Sequence, residues 1–302
     1  MKPRDTIELL LLAAIWGASF LFLRMGAAEF GPFALAGLRV LGASLFLLPL
    51  LWRRGEWAAL RQHWRAIAVV GIVNSAIPFL CFSYAALAIT GGLSSIFNAT
   101  TPLWGVVFAW WWLRDRPDVN KLAGLAIGFA GVLWLAWDKA SFKPDASGAS
   151  SGLAVLACLV ATMMYGLAAS MTKRWLTGVP AMALATGSQL SAAVVLMPLM
   201  LWHWPATMPG ARSWGAVAAL ALVCTGVAYV LFFRLIANIG AGNALSVTFL
   251  IPGFAIAWGG LFLGETVNAT MIGACVVVLV GTSLVTGVWK PTPWWGANRK
   301  PS

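Results

Sequence analysis

From Arg65 to Arg114 the chain passes through a stretch in which no residue carries a charge. That stretch is about twice the roughly 20 apolar residues a helix needs to cross a hydrocarbon core of ~30 Å. It therefore has to fold as two membrane spans with a break between them. The rest of the chain repeats the pattern. Ten apolar runs, each about 17 to 25 residues long, lie near Thr6–Arg24, Gly31–Trp52, Arg65–Ala88, Gly91–Leu113, Val119–Trp137, Gly152–Thr172, Pro180–Trp202, Trp214–Asn238, Ala241–Leu263 and Asn268–Trp289. Only Ile89-Thr90 separates the third run from the fourth, and only Ile239-Gly240 the eighth from the ninth. The expected fold is an all-α integral membrane protein of ten transmembrane helices.

Composition agrees: 61% of residues are hydrophobic and 10% charged, with mean hydropathy +0.85, far outside the range of a soluble globule. The N-terminal MKPRDTIELLLLAAIWGASF has the basic start and apolar core of a signal peptide. Cleavage near Gly26-Ala27-Ala28 would remove a helix that the repeat described below requires, so a retained span is expected. The formal charge of +11 raises the question of nucleic acid, and the placement of the cations answers it. With a cytoplasmic N-terminus, fifteen Lys and Arg fall on the inner side, against four outside (Arg24, Lys139, Lys143 and Arg212) and Arg39 within a span. Such a bias orients membrane proteins. Both termini are expected in the cytoplasm of a cell whose inner membrane holds the chain, with lipid and a small molecule as partners, no nucleic acid, and a monomer plausible.

Cys81, Cys158, Cys224 and Cys275 fall in four different runs without metal-ligand spacing, so they read as small buried hydrophobes, and no metal or other cofactor is expected. No H-E-x-x-H, no pair of membrane-buried aspartates and no Ser/His couple at depth is present, so hydrolysis within the membrane lacks its groups and an enzyme is not expected.

The chain also repeats itself. An offset of 150 residues matches Gly92 with Gly242, Pro102 with Pro252, Leu113 with Leu263, Asp115 with Glu265 and Gly131 with Gly281. Upstream, 149 matches Trp16 with Tyr165, Gly17 with Gly166 and Pro49 with Pro198. Residues 1–140 and 141–302 thus form two five-helix repeats. Five is odd, so the second enters the membrane inverted, the signature of alternating-access transporters with a midplane site between the halves.

WGASF at Trp16–Phe20, Arg39 within GLRVLGAS, the prolines of the fourth and ninth runs, and LGE at Leu263–Glu265 together resemble the EamA-type branch of the drug/metabolite transporter superfamily. More narrowly, the chain is similar to bacterial exporters of aromatic and neutral amino acids. The resemblance covers the whole chain and implies membrane transport. The first repeat has Arg114-Asp115-Arg116 where the second has Gly264-Glu265-Thr266, so the Gly-Glu motif is complete only once.

Pro102 and Pro252 each lack an N–H and deprive the carbonyls of Asn98 and Thr248 of their helical partner. In lipid such a gap is tolerated only against protein or a watery cavity. Both prolines are therefore expected to be hinges in discontinuous helices that line a solute path. Helical spacing sets Asn98 and Thr101 on one face with Trp104 on its flank, and Ser75 with Phe82 on another, bordered by Phe79. The 150 offset carries Ser75 and Phe79 onto Thr225 and Tyr229, again hydroxyl and aromatic. Trp16 and Tyr165, with Thr162 one turn earlier, complete an expected binding set with Thr248.

No Asp or Glu lies near the centre of a run, so a midplane carboxylate relay is absent from the expectation. Arg234 is expected to snorkel to a membrane surface, and Arg39 to anchor helix-end carbonyls. A neutral cavity of aromatics and hydroxyls suits an amino-acid zwitterion. The alternatives are proton-coupled efflux of lipophilic drugs, which requires Glu265 or Glu8 to titrate, and a passive channel or membrane scaffold.

Overall fold

The computed structural model describes residues 2–139 and 150–289. Among them every regular element is helical, and eight helical stretches are long and apolar enough to cross a membrane. The chain is an all-helical, multi-pass membrane protein. The 140/141 boundary expected between two repeats lies outside the described residues. So do Lys143, Lys290, Arg299 and Lys300, which the charge count included.

α1 (Pro3–Arg53) covers the first two expected spans. Its 51 residues would measure ~75 Å if straight, more than twice a hydrocarbon core. Gly31 breaks it, with φ 68° and ψ 168°, a conformation that costs glycine little. Pro32 follows, where a new helix has no use for its missing N–H. The result is two arms, 3–30 and 32–53. The first continues past Arg24, where the sequence suggested an end, because Arg24 is met there by Glu265 at 3.2 Å.

α2 (Trp57–Gly71), a π-helical turn (Ile72–Ala76) and α3 (Ile77–Ala88) form one span beginning at Trp57 rather than Arg65. Its counterpart combines α9 (Ala211–Ala218), a second π-helical segment (Ala219–Val227) and α10 (Ala228–Ile239), and begins at Ala211 rather than Trp214. The π turns overlap at the 150 offset, Ser75 lying in one and Thr225 in the other. Extended backbone at Ile89 (φ −129°, ψ 157°) and a positive φ of 82° at Gly240 make the two close junctions the sequence indicated.

The fourth run is built in two pieces, α4 (Gly91–Asn98) and α5 (Thr101–Leu113), and the ninth likewise, α11 (Ala241–Leu245) and α12 (Val247–Leu263). Here the expectation of matched breaks at the prolines needs correction. Pro102 sits in the first turn of α5, where its missing N–H leaves no gap, and the break precedes it at Ala99-Thr100. Pro252 lies inside continuous α12, and the second break is at Ser246. A threonine bridges each break. Thr101 Oγ1 donates to the Asn98 carbonyl at 2.8 Å, and Thr248 Oγ1 to the Leu245 carbonyl at 2.8 Å.

α6 (Val119–Lys139), α7 (Ser151–Trp175), α8 (Ala181–Trp202) and α13 (Ala269–Thr286) complete the bundle. Asp118 accepts the Lys121 N–H at 2.8 Å, and Asn268 the Met271 N–H at 2.8 Å. The same N-cap chemistry thus starts α6 and α13 at corresponding positions. These two helices pack through Gly124, Gly128 and Gly281, so closely that a methyl at Gly281 would fall 2.4 Å from the Gly128 nitrogen, the small-residue contact that membrane helices favour. The largest buried cluster centres on Phe20, Phe30, Ile96, Phe97 and Leu220.

Candidate functional site

A cavity of about 730 Å³ lies between the halves, walled by both arms of α1, α2 and α3, α4 and α5, α7, α8, α10 to α12 and both π segments. Trp16, Phe79, Phe82, Asn98, Thr101, Tyr165, Thr225, Tyr229 and Thr248 all line it. Its apolar surface is a set of packed rings: Trp16 against Phe232 with centroids 5.1 Å apart, Phe82 against Tyr165 at 6.3 Å, and Tyr229 against Phe233 at 5.9 Å.

Three expected residues are not in the lining. Ser75 is fully buried and accepts from Gln189 Nε2 at 2.9 Å, joining its span to α8 behind the cavity. Trp104 packs edge-on against Phe129, centroids 5.0 Å apart, and against Gly166 of α7. Thr162 is buried and donates to the carbonyl of Leu159 at 3.0 Å. Pro102 and Pro252 also lie outside the lining.

Among the lining residues that the sequence reading left out of the site are Ser19, Asn74, Ser188 and, above all, Arg39. Arg39 is 7% exposed and, among the described residues, donates to no helix-end carbonyl. Its Nε donates to Thr225 Oγ1 at 3.0 Å, and its guanidinium lies 3.7 Å over the Phe79 ring. The π segment makes this possible. Thr225 Oγ1 donates to the Leu220 carbonyl five residues back at 2.8 Å, the wide spacing of a π turn, which leaves the oxygen to accept from Arg39. A lone charge within an apolar span was the available signal, since such residues mark function more often than packing.

The two ends of the cavity differ. At one, Phe20 and Leu23 are 6% and 2% exposed, and a polar latch lies beyond them. Glu265 accepts the Gly91 N–H on both carboxylate oxygens at 3.0 Å and pairs with Arg24 Nε at 3.2 Å. Arg24 also donates to the Ala86 carbonyl at 2.6 Å. The motif explains the geometry: Gly264 ends α12 in the left-handed region at φ 64°, and the Glu265 N–H turns back to the Gly259 carbonyl at 3.1 Å. At the other end, Lys173 and Leu245 form the rim, and Leu245 is 49% exposed. The corresponding loop is present there. Arg114 takes the left-handed conformation at φ 60°, and the Asp115 N–H returns to the Ala109 carbonyl at 3.1 Å. Asp115, however, is exposed and only 4.0 Å from exposed Lys173, the residue that the 149 offset matches with Arg24.

Arg234, expected to snorkel, instead donates from Nε to Glu8 Oε2 at 2.9 Å. Arg4 meets the same carboxylate at 3.1 Å, and Asn238 reaches Asp5 at 3.2 Å. These contacts fasten the start of α1 to the end of α10.

The sequence matches the family model described as "EamA-like transporter family" over residues 6–137 and 152–287. It is 24% identical over 291 residues to the uncharacterized transporter YvbV of Bacillus subtilis, covering 94% of this chain and 92% of that one. It is 26% identical over 279 residues to the uncharacterized inner membrane transporter YedA of Escherichia coli K12, covering 91% and 88%. A solved crystal structure superposes with TM-score 0.65 over 95% of this chain and 98% of that one at 20% identity, a likeness of fold. Helices, cavity and family match agree, and the chain belongs to the EamA-like transporter family of membrane transporters.

Proposed function

We propose that this transporter exports aromatic and neutral amino acids, or similar small metabolites, across the inner membrane by alternating access. In this reading it has ten transmembrane helices in two inverted repeats, residues 1–140 and 141–302, with both termini cytoplasmic. The observation that carries the reading is the unequal state of the two cavity ends. Glu265 and Asp115 occupy corresponding loops, yet Glu265 is latched to Arg24 and Gly91 while Asp115 stands 4.0 Å from Lys173. A carrier caught with one end shut and the other open has this asymmetry, and exchange of the two latches would present the cavity to the opposite side. Lys173 stands at the open end, and the charge bias of the sequence puts it on the inner side, so in this reading the open end is the cytoplasmic one. An exporter loads from that side.

Ring walls of this kind take an apolar or aromatic side chain, and the amides and hydroxyls of Asn98, Asn74 and Ser188 orient the polar part. Proteoliposomes containing the purified chain, offered a panel of labelled amino acids, test the proposal. Saturable uptake of the aromatic and large neutral members supports it. Uptake no greater than in protein-free vesicles across the panel removes amino acids as cargo.

A further inference from the structure

Arg39 and Lys173 are the charged residues of the cavity wall, and no Asp or Glu contributes to it among the described residues. Lys173 stands at the rim with Asp115 beside it. Arg39 lies deep, and its environment among the described residues is unusual for a buried cation: a hydroxyl, an aromatic face and no carboxylate. A guanidinium carries five N–H donors and stays protonated under all ordinary conditions. One N–H is used on Thr225, and among the described residues no carbonyl or carboxylate accepts from the other four. Burying such a charge unpaired is costly enough that membrane spans keep it chiefly where it serves a pathway or a ligand.

The two protein contacts also fix how the group is presented. Stacking on Phe79 covers one face of the guanidinium plane, and the Thr225 bond holds its Nε edge. What remains is in-plane N–H pairs, the geometry that matches the two oxygens of a carboxylate. We infer that Arg39 is the carboxylate-binding group of this cavity, so that a solute carrying one carboxylate beside an apolar or aromatic body is held by a bidentate bond to Arg39 with its body among Trp16, Phe82 and Tyr229. The inference rests on reading the cavity as the transport site. It replaces the neutral cavity expected from the sequence with one that selects for a single negative group. An amino acid supplies that group, and so does the corresponding deaminated acid, so the presence or absence of an ammonium group becomes a separate question.

Titration calorimetry on the purified full-length protein tests this with four probes: L-phenylalanine, 3-phenylpropanoate, and their carboxamides L-phenylalaninamide and 3-phenylpropanamide. At least one acid should bind about ten- to a hundredfold more tightly than its amide, the loss expected when a charged hydrogen-bonding pair is removed. Comparison of the two acids shows whether an ammonium group contributes. Arg39→Gln should bring the acid down to the affinity of its amide. Arg39→Lys, which keeps the charge without the fork, should retain part of the preference. Thr225→Val, which releases the guanidinium edge, should weaken acid binding several-fold with the acid still preferred. Melting curves identify variants that are folded, and Arg39→Lys and Thr225→Val keep the test open if Arg39→Gln does not fold. Equal binding of acid and amide overturns the inference, as does no binding of either acid, or a folded Arg39→Gln that binds the acid like the parent. Acids bound through Arg39 but not carried into proteoliposomes would leave this site standing and remove the transport reading. Phenylalanine carried equally well by the parent and Arg39→Gln would do the reverse.

Discussion

Gly17 of α1 lies so close to Phe254 of α12 that a methyl group placed on it would come within 2.7 Å of the Phe254 Cβ. Gly166 of α7 meets Trp104 of α5 in the same way, at 2.6 Å. The sequence offsets match Gly17 with Gly166 and Phe254 with Trp104, so one close helix crossing occurs twice, once in each pairing of the halves. The glycine of WGASF is thereby explained as a contact that lets two membrane helices approach.

Gly17→Ala and Gly166→Ala should each lower stability by about 1 to 3 kcal/mol, the usual cost of inserting a methyl group into a packed contact. Gly105→Ala, at a position with open space around it, should be neutral or stabilising. Thermal melting of the three variants in detergent checks this, and an unchanged melting temperature for Gly17→Ala would mean that α1 and α12 part easily.

The loops that carry Asp115 and Glu265 differ in how comfortably they turn. Arg114 adopts the left-handed conformation at a cost of roughly 1 to 2 kcal/mol for a residue with a Cβ, whereas Gly264 does so freely. Arg114→Gly should therefore raise stability by about 1 kcal/mol and Gly264→Ala should lower it by about 1 kcal/mol, as read from melting of the purified protein.

Loss of the Glu265 latch should open the closed end. Glu265→Gln keeps an acceptor for the Gly91 N–H but gives up the ion pair with Arg24. Removing a partly buried pair of this kind shifts a two-state balance by about 1 to 3 kcal/mol, or about five- to a hundredfold. A cysteine introduced at Leu23, 2% exposed in the latched state, should react slowly with a water-soluble thiol reagent and at least several-fold faster when combined with Glu265→Gln. Equal rates would show that the latch does not control access.

Asn98 and Ser75 separate binding from packing. Asn98 lines the cavity, and Asn98→Ala should weaken transport by about five- to a hundredfold with melting nearly unchanged. Ser75 is bonded to Gln189 outside the lining, so Ser75→Ala should lower the melting temperature and leave the half-saturating solute concentration alone. The opposite pattern would reassign both residues.

Much of the fold was legible because lipid leaves few options. Run lengths pointed to an all-helical, multi-pass chain, of which eight stretches are long and apolar enough to cross a membrane, and Ile89 and Gly240 marked the junctions. The cavity lining was legible at Asn98 and Thr101, which stay on one side although the helix breaks between them, and at Tyr229, which the 150 offset indicated. It failed at Ser75, which lies within the π turn Ile72–Ala76, where the altered turn upsets the spacing that placed it on the same stripe as Phe82. The prolines misled for a related reason: Pro102 starts a helix and so does not break one. Arg39 was read as an anchor because the partner that holds it, Thr225, is 186 residues away, a pairing no local rule exposes.

Counterflow in proteoliposomes measures the central claim, alternating access through this cavity, most directly. Vesicles holding the purified chain are preloaded with unlabelled phenylalanine and diluted into a trace of the labelled amino acid. Alternating access predicts a transient accumulation of label above its equilibrium level, saturable with solute and abolished by the combined Asn98→Ala and Arg39→Gln changes. Flux that rises linearly with concentration and ignores the solute on the far side would contradict it and identify a passive pore.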